Sequence, residues 1–78
     1  MIIIKGERII VDKRETGTVK KYDRIKGYGF IEPDYGKDIF VHQNALIDVR
    51  WLKEGSRVEF KVVQGEKGLQ AEDVIVLD

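Results

Sequence analysis

The sequence predicts an all-β fold, a five-stranded antiparallel barrel with a short N-terminal β extension, and three observations carry that prediction. The dominant hydrophobic period is two, glycines bound the apolar runs, and no window of eleven or more residues holds a helical apolar stripe. The 78 residues admit one domain, with a core that buries only about 60 to 65 % of the unfolded chain's surface. Five short strands in so short a chain are most economically closed into a barrel, because closure removes the exposed edges of an open sheet.

Each element has a local reason. Thr18 to Tyr22 follows Gly17 as a strand, and Gly27 to Ile31 is a second, ended by "EPDYGKD", whose Pro33, Asp34 and Gly36 are turn residues. Asp38 to Gln43 makes a third strand. "ALIDVRWLKEG" is a long connection with room for one helical turn, and Gly55 ends it. In "RVEFKVV", Val58, Phe60 and Val62 alternate with Arg57, Glu59 and Lys61, the mark of a half-buried strand. "QGEKG" is a hairpin loop, and "QAEDVIVL" is the last strand. Residues 16–78 therefore form the barrel domain, and residues 1–15 precede it as an extension. There the apolar triplets Ile2 to Ile4 and Ile9 to Val11 flank polar residues, a pattern for a β-hairpin or an added edge strand. An isolated hairpin is marginal in water, so the extension is expected to dock on the barrel or to form a homodimer with a second copy.

Composition excludes several function classes. The chain has no cysteine, hence no disulfide framework or thiolate metal site, and Ile2 to Ile4 is too short for a signal-peptide core or a membrane span. A soluble, cytoplasmic protein is expected. The single histidine stands outside any His, Cys or paired-carboxylate constellation, so no catalytic residue, metal, cofactor or small-molecule substrate is expected. Charges cancel overall, yet from Lys13 to Lys26 six basic residues (Lys13, Arg14, Lys20, Lys21, Arg24, Lys26) face only Glu15 and Asp23. One face is expected to be basic.

The stretch "KGYGFIEPDYGKDIFVH" carries the functional signal. Alternation places Tyr28 and Phe30 on one face of their strand and Ile31 on the other. It likewise sets Phe40 and His42 on one face, with Ile39 and Val41 turned to the core. If the two strands pair, four flat side chains form an outer platform, and Gly27 and Gly29 leave the rings unobstructed. Cross-strand aromatic pairs can stabilise a sheet with no ligand at all. Bases also stack on such platforms, for about 1 to 3 kcal/mol each, while lysines neutralise phosphates. Lys20, Lys26 and Lys67 are candidates for that second task.

"GTVKKYDRIKGYGFI", "DIFVHQNAL" and "LKEGSRVEFKVVQGEKGLQAEDV", in this order and spacing from Gly17 to about Leu77, resemble the cold-shock domain family. The resemblance implies a barrel of the oligonucleotide-binding (OB) class that binds single-stranded RNA or DNA, an RNA chaperone that hydrolyses nothing. By position it implies Lys20, Tyr22, Lys26, Tyr28, Phe30, Phe40, His42, Gln43 and Lys67 as binding residues. Gln43 falls where bacterial members often have Phe and Y-box-type members have Gln. The family's strand-one tryptophan is Lys21 here and its asparagine is Asp23, so one stacking surface is replaced by a charge. Val19 and Lys21 share a parity, and only a bend or bulge lets Val19 face the core while Lys21 faces the groove. Trp51 and Tyr35 lie in loops that border the groove or, for Trp51, cover one barrel end.

Two functions from different classes remain. One is a single-strand-binding module, and the other is a protein-interaction or oligomerising barrel with weak nucleic-acid affinity. An RNA-recognition-motif fold also uses a "KGYGFI" strand, but it fails on motif order and on its two absent amphipathic helices.

Overall fold

The structure, a computed structural model, describes residues 2–5, 8–11, 14–65 and 68–77, the first two segments by their backbone. β1 (Ile2–Lys5) and β2 (Arg8–Val11) pair antiparallel from Ile2↔Val11 to Lys5↔Arg8, as a two-stranded sheet of their own.

The barrel comprises β3 (Arg14–Asp23), β4 (Tyr28–Pro33), β5 (Ile39–His42), β6 (Arg57–Gly65) and β7 (Gly68–Val76), in the closed order β3-β4-β5-β7-β6. β3 is long enough to serve two neighbours. Its first half pairs with β6 from Arg14↔Lys61 to Thr18↔Arg57, and its second half pairs with β4 as far as Asp23↔Tyr28. The barrel therefore starts at Arg14, inside the segment assigned to the extension. The expected five-stranded barrel is present, antiparallel at four of its five seams; at the fifth, β5 and β7 run parallel at Phe40↔Gln70. Parity requires it: strands that alternate in direction cannot close a ring of odd number, so one neighbouring pair of five must run the same way.

The core follows the period-two pattern. β4 alternates Tyr28 out, Gly29 in, Phe30 out, Ile31 in, and β5 turns Ile39 and Val41 inward. Val58 and Phe60 of β6, Ala71 and Val74 of β7, and Leu52 from the connection complete the packing. Each such large side chain, fully buried, contributes about 1.5 to 3 kcal/mol.

Two features position the site. β3 slips register between Val19 and Lys21, so Val19 and Tyr22 both point inward while Lys20 and Lys21 both point out. The backbone groups of Val19 bond elsewhere: its N–H donates to Ser56 O (2.9 Å), and its carbonyl accepts from the Gly55 N–H (2.8 Å). The bulge is thereby stitched to the end of the long connection. After β5, Gln43–Ala45 form one 3-10 turn, capped by His42, whose Nδ1 accepts from the Asn44 N–H at 3.1 Å.

Candidate nucleic-acid interface

Residues directly opposite in a sheet share a face, and the register lays out two rows across the outer surface of β3, β4 and β5. One row reads Lys21, Phe30, Phe40 and, across the parallel seam, Gln70; the other reads Asp23, Tyr28 and His42. Tyr28 and Phe40 are 5.7 Å apart between ring centroids at 35°, and Phe30 meets Phe40 edge to face at 6.0 Å. Such pairs are worth about 0.5 to 1.5 kcal/mol each, enough to fix ring orientation. Tyr28 and Phe30 remain 37 % and 41 % exposed, so faces are left for a ligand. The platform expected from alternation is thus assembled.

His42 is held in one tautomer. A backbone N–H can only donate, so Nδ1 accepts from Asn44, and the neutral ring carries its proton on Nε2.

Gly29 does more than leave the rings unobstructed. A Cβ there would lie 2.0 Å from Lys21 O and 2.7 Å from Tyr22 Cα, so the bulged backbone of β3 occupies the space a side chain would need. Gly27 has φ +77°, and a Cβ there would meet the Gln43 side chain at 2.7 Å. Gln43, itself exposed, lies over this turn, and its N–H donates to Gly27 O at 2.8 Å.

Tyr22 is a correction. Strict alternation turns it outward with Lys20, but the bulge inserts one residue and turns it into the core, where it is 8 % exposed. Its hydroxyl is buried with no hydrogen-bond partner among the described residues, and burial raises its pKa. Its ring belongs to the barrel interior.

The cations divide into two sets. Lys20 is exposed but donates to Asp38 Oδ2 at 2.8 Å, a bond that raises the lysine pKa. Arg14 pairs with Glu59, Arg57 forks onto Asp34 at 2.8 and 2.9 Å, and Lys61 lies 3.4 Å from Asp73. By contrast Lys21, Arg24, Lys26, Arg50 and Lys53 form no ion pair among the described residues. Lys26 sits on the β3–β4 turn, where its N–H and that of Ile25 donate to Asp23 Oδ1, both at 2.9 Å. Those bonds, led by the one from Lys26, lower the Asp23 pKa. Lys67 lies outside the described residues.

Sequence reasoning missed Leu69 and Gln70. With Tyr28, Phe30, Phe40 and Gly68 they line a recess of about 510 Å³ against the rings. Only the parallel seam brings them there, and nothing local to "GLQ" announces it. Trp51 is 41 % exposed, with the Arg24 guanidinium 3.9 Å from its ring centroid. Tyr35 stands exposed in the β4–β5 loop, outside the residues that line the recess.

Comparison with known proteins gives a consistent answer. A profile of the family described as 'Cold-shock' DNA-binding domain matches residues 15–77. The chain is 45 % identical over 69 residues to the Major cold shock protein CspA of Pseudomonas aeruginosa, covering 86 % of this chain and all of that one. It is 48 % identical over 64 residues to a cold shock-like protein of Thermotoga maritima, covering 80 % and 97 %. Among solved structures, drosophila Unr CSD456 superposes with a TM-score of 0.72 at 32 % identity, over 85 % of this chain and 27 % of that one. Barrel, motif spacing and relatives agree: the chain belongs to the cold-shock domain family.

Proposed function

We propose that Tyr28, Phe30, Phe40 and His42 are the surface on which this chain stacks unpaired bases, with Lys20, Lys21, Lys26 and Gln43 bordering it. As a cold-shock-domain protein the chain is a single-stranded nucleic-acid-binding, chaperone-like module, and this platform is where we place that activity. The observation that carries the placement is a surplus: the core is filled without them, while three rings remain on the outer face, in contact with one another, Tyr28 and Phe30 exposed and Phe40 half-buried between them. Stacking accepts any base, at about 1 to 3 kcal/mol each. Binding the unpaired form then shifts weak RNA structure toward melting by mass action. No chemical step is involved. We place the protein in the cytoplasm; no helix of the described residues is long and apolar enough to cross a membrane.

The test is a titration of labelled single-stranded and duplex oligonucleotides at several salt concentrations. Single strands should bind better, and three or four phosphate contacts at about 0.7 ions each give a log-log salt slope of roughly 2 to 3. Phe30→Ala or Phe40→Ala should weaken binding by about 5- to 150-fold, one stacking contact, with little change in melting temperature. Phe60→Ala, in the core, should instead cost about 3 to 5 kcal/mol of stability. Equal affinity for duplex, or Phe40→Ala binding like the parent, would overturn the reading.

A second reading, an oligomerising barrel with weak nucleic-acid affinity, is favoured by the separate β1–β2 hairpin and its two apolar triplets. A stable oligomer indifferent to oligonucleotides would select it.

A further inference from the structure

We propose that Gly29 and Gly55 are positioning residues of the nucleic-acid surface: between them they hold the β3 bulge that turns Lys20 and Lys21 outward side by side. Neither touches the strand. The proposal rests on the reading of the platform as a single-strand surface and assigns what sets its cationic border. Side chains of a regular strand alternate between faces, so two consecutive lysines on one face require an inserted residue. β3 makes that insertion between Val19 and Lys21, and Val19 and Tyr22 face the core on either side of the exposed Lys20 and Lys21.

The bulge is gripped at both edges of β3. On the β4 edge, a Cβ at Gly29 would fall 2.7 Å from Tyr22 Cα and 2.9 Å from the Lys21 carbonyl carbon, and closer still to the Lys21 carbonyl oxygen. All three are backbone atoms, which have no rotamer to swing aside, so the bulge fits only over a residue with no side chain. On the β6 edge, Val19 donates to Ser56 O (2.9 Å) and accepts from the Gly55 N–H (2.8 Å). Gly55 has φ +90°, with open space where a Cβ would go. There the glycine serves the backbone conformation that aims its N–H at Val19. One glycine supplies room and the other supplies direction.

The consequence is electrostatic. The bulge places Lys21 opposite Phe30, at the end of the ring row, with no ion-pair partner among the described residues, while its neighbour Lys20 is held by Asp38. Without the bulge, strict alternation would put Lys21 on the buried face with Val19 and turn the Tyr22 ring outward. A lysine resists that burial. Crowding introduced at Gly29 is therefore relieved by splaying β3 away from β4, which carries Lys21 off the end of the row. Gly17 isolates this effect. It lies in the same crowded seam, with a Cβ site 2.6 Å from Glu32 O and 2.9 Å from Pro33 Cα, but it pairs with Pro33, away from the bulge and the rings.

Gly29→Ala and Gly17→Ala should both melt lower than the parent. Binding is then read at a temperature where near-ultraviolet circular dichroism shows each variant folded, on an oligothymidylate of about eight nucleotides, within the range of site sizes for this class of fold. Gly29→Ala should bind a few-fold more weakly, with a log-log salt slope lower by about 0.7, one phosphate's share. Gly17→Ala should keep the parent slope. In the parent, Lys21→Gln should produce the same loss as Gly29→Ala, and in Gly29→Ala it should produce none, because the two act through one contact. On the other edge, Gly55→Asn is the conservative change, since asparagine tolerates a positive φ; it should keep the parent slope, and Gly55→Val should lose it. A folded Gly29→Ala with the parent slope, an equal loss from Gly17→Ala, or a full additional loss from Lys21→Gln would each overturn the positioning role while the platform reading stands. If Gly29→Ala does not fold, Gly55→Val with the parent slope overturns it instead. A parent that binds no oligothymidylate would overturn both.

Discussion

Lys20 Nζ donates to the Asp38 carboxylate at 2.8 Å, so a cation at the border of the ring platform is neutralised before any phosphate arrives. Asp38 is the residue just before β5, and both side chains line a hollow with Lys21, Phe30 and Glu54. Exposed pairs of this kind add little stability. Asp38→Asn should therefore leave the thermal melt nearly unchanged, tighten single-strand binding a few-fold and raise the log-log salt slope by about 0.7, the share of one phosphate. A titration at three salt concentrations measures both; identical slopes would place Lys20 outside the strand's path.

Lys21 stands directly opposite Phe30 because the bulge turns it outward. A lysine there offers one charge that fades as salt rises, where a tryptophan would extend the platform by one ring. Lys21→Trp is expected to tighten binding by up to about 5- to 150-fold and to flatten the salt dependence. A well-folded variant with unchanged affinity would show that bases do not reach this row's end.

Acid should loosen the barrel through Asp34. Its carboxylate accepts both nitrogens of Arg57 and the Thr16 hydroxyl, and its N–H donates to Thr16 O at 3.0 Å. These bonds, led by those from Arg57, hold its pKa far below the usual carboxylate range. A depressed folded-state pKa contributes stability that is complete above the unfolded value of about 3.9 and is lost as pH falls further. Melting temperature should therefore decline below about pH 4, and Asp34→Asn should melt lower at neutral pH with a shallower acid decline. An unchanged acid slope in that variant would assign the loss to other carboxylates.

The hairpin can be removed without cutting the barrel. Deleting residues 1–13 leaves β3 whole from Arg14. The full chain is expected to run in solution as a dimer of its 9.0 kDa protomer, since six large apolar residues in the two triplets are costly to leave exposed. The truncated chain is expected to run as a monomer. Light scattering on both decides, and equal masses would remove the hairpin from any dimer contact.

Much of this geometry was legible because strict period two survives where it matters. Phe40 and His42 against Ile39 and Val41, and Tyr28 and Phe30 against Ile31, fall as alternation demands. The bulge was legible only as a conflict, Val19 and Lys21 sharing a parity they could not both use. Its effect on Tyr22 was not read, because one inserted residue reverses the facing of all that follows. The parallel seam was available from counting strands, but its consequences for Leu69 and Gln70 depend on closure across the whole barrel. Pairings such as Lys20 with Asp38 join residues 18 apart with the whole of β4 between them, and sequence spacing carries no trace of them.

The parallel seam also bears on when the protein becomes competent. Tyr28, Phe30 and Phe40 lie on two consecutive strands joined by a short turn, a unit of local contacts. Gly68, Leu69 and Gln70, which wall the recess, sit on β7, and β7 joins β5 only after the connection and β6 between them have been laid down. A nascent chain halted before β7 would own the rings but neither the wall nor the closed core that holds the rings in register. On the proposed platform reading, grip on a nucleic acid is acquired in the same event that seals the barrel, and an unfinished copy has little means of seizing the message from which it is being translated.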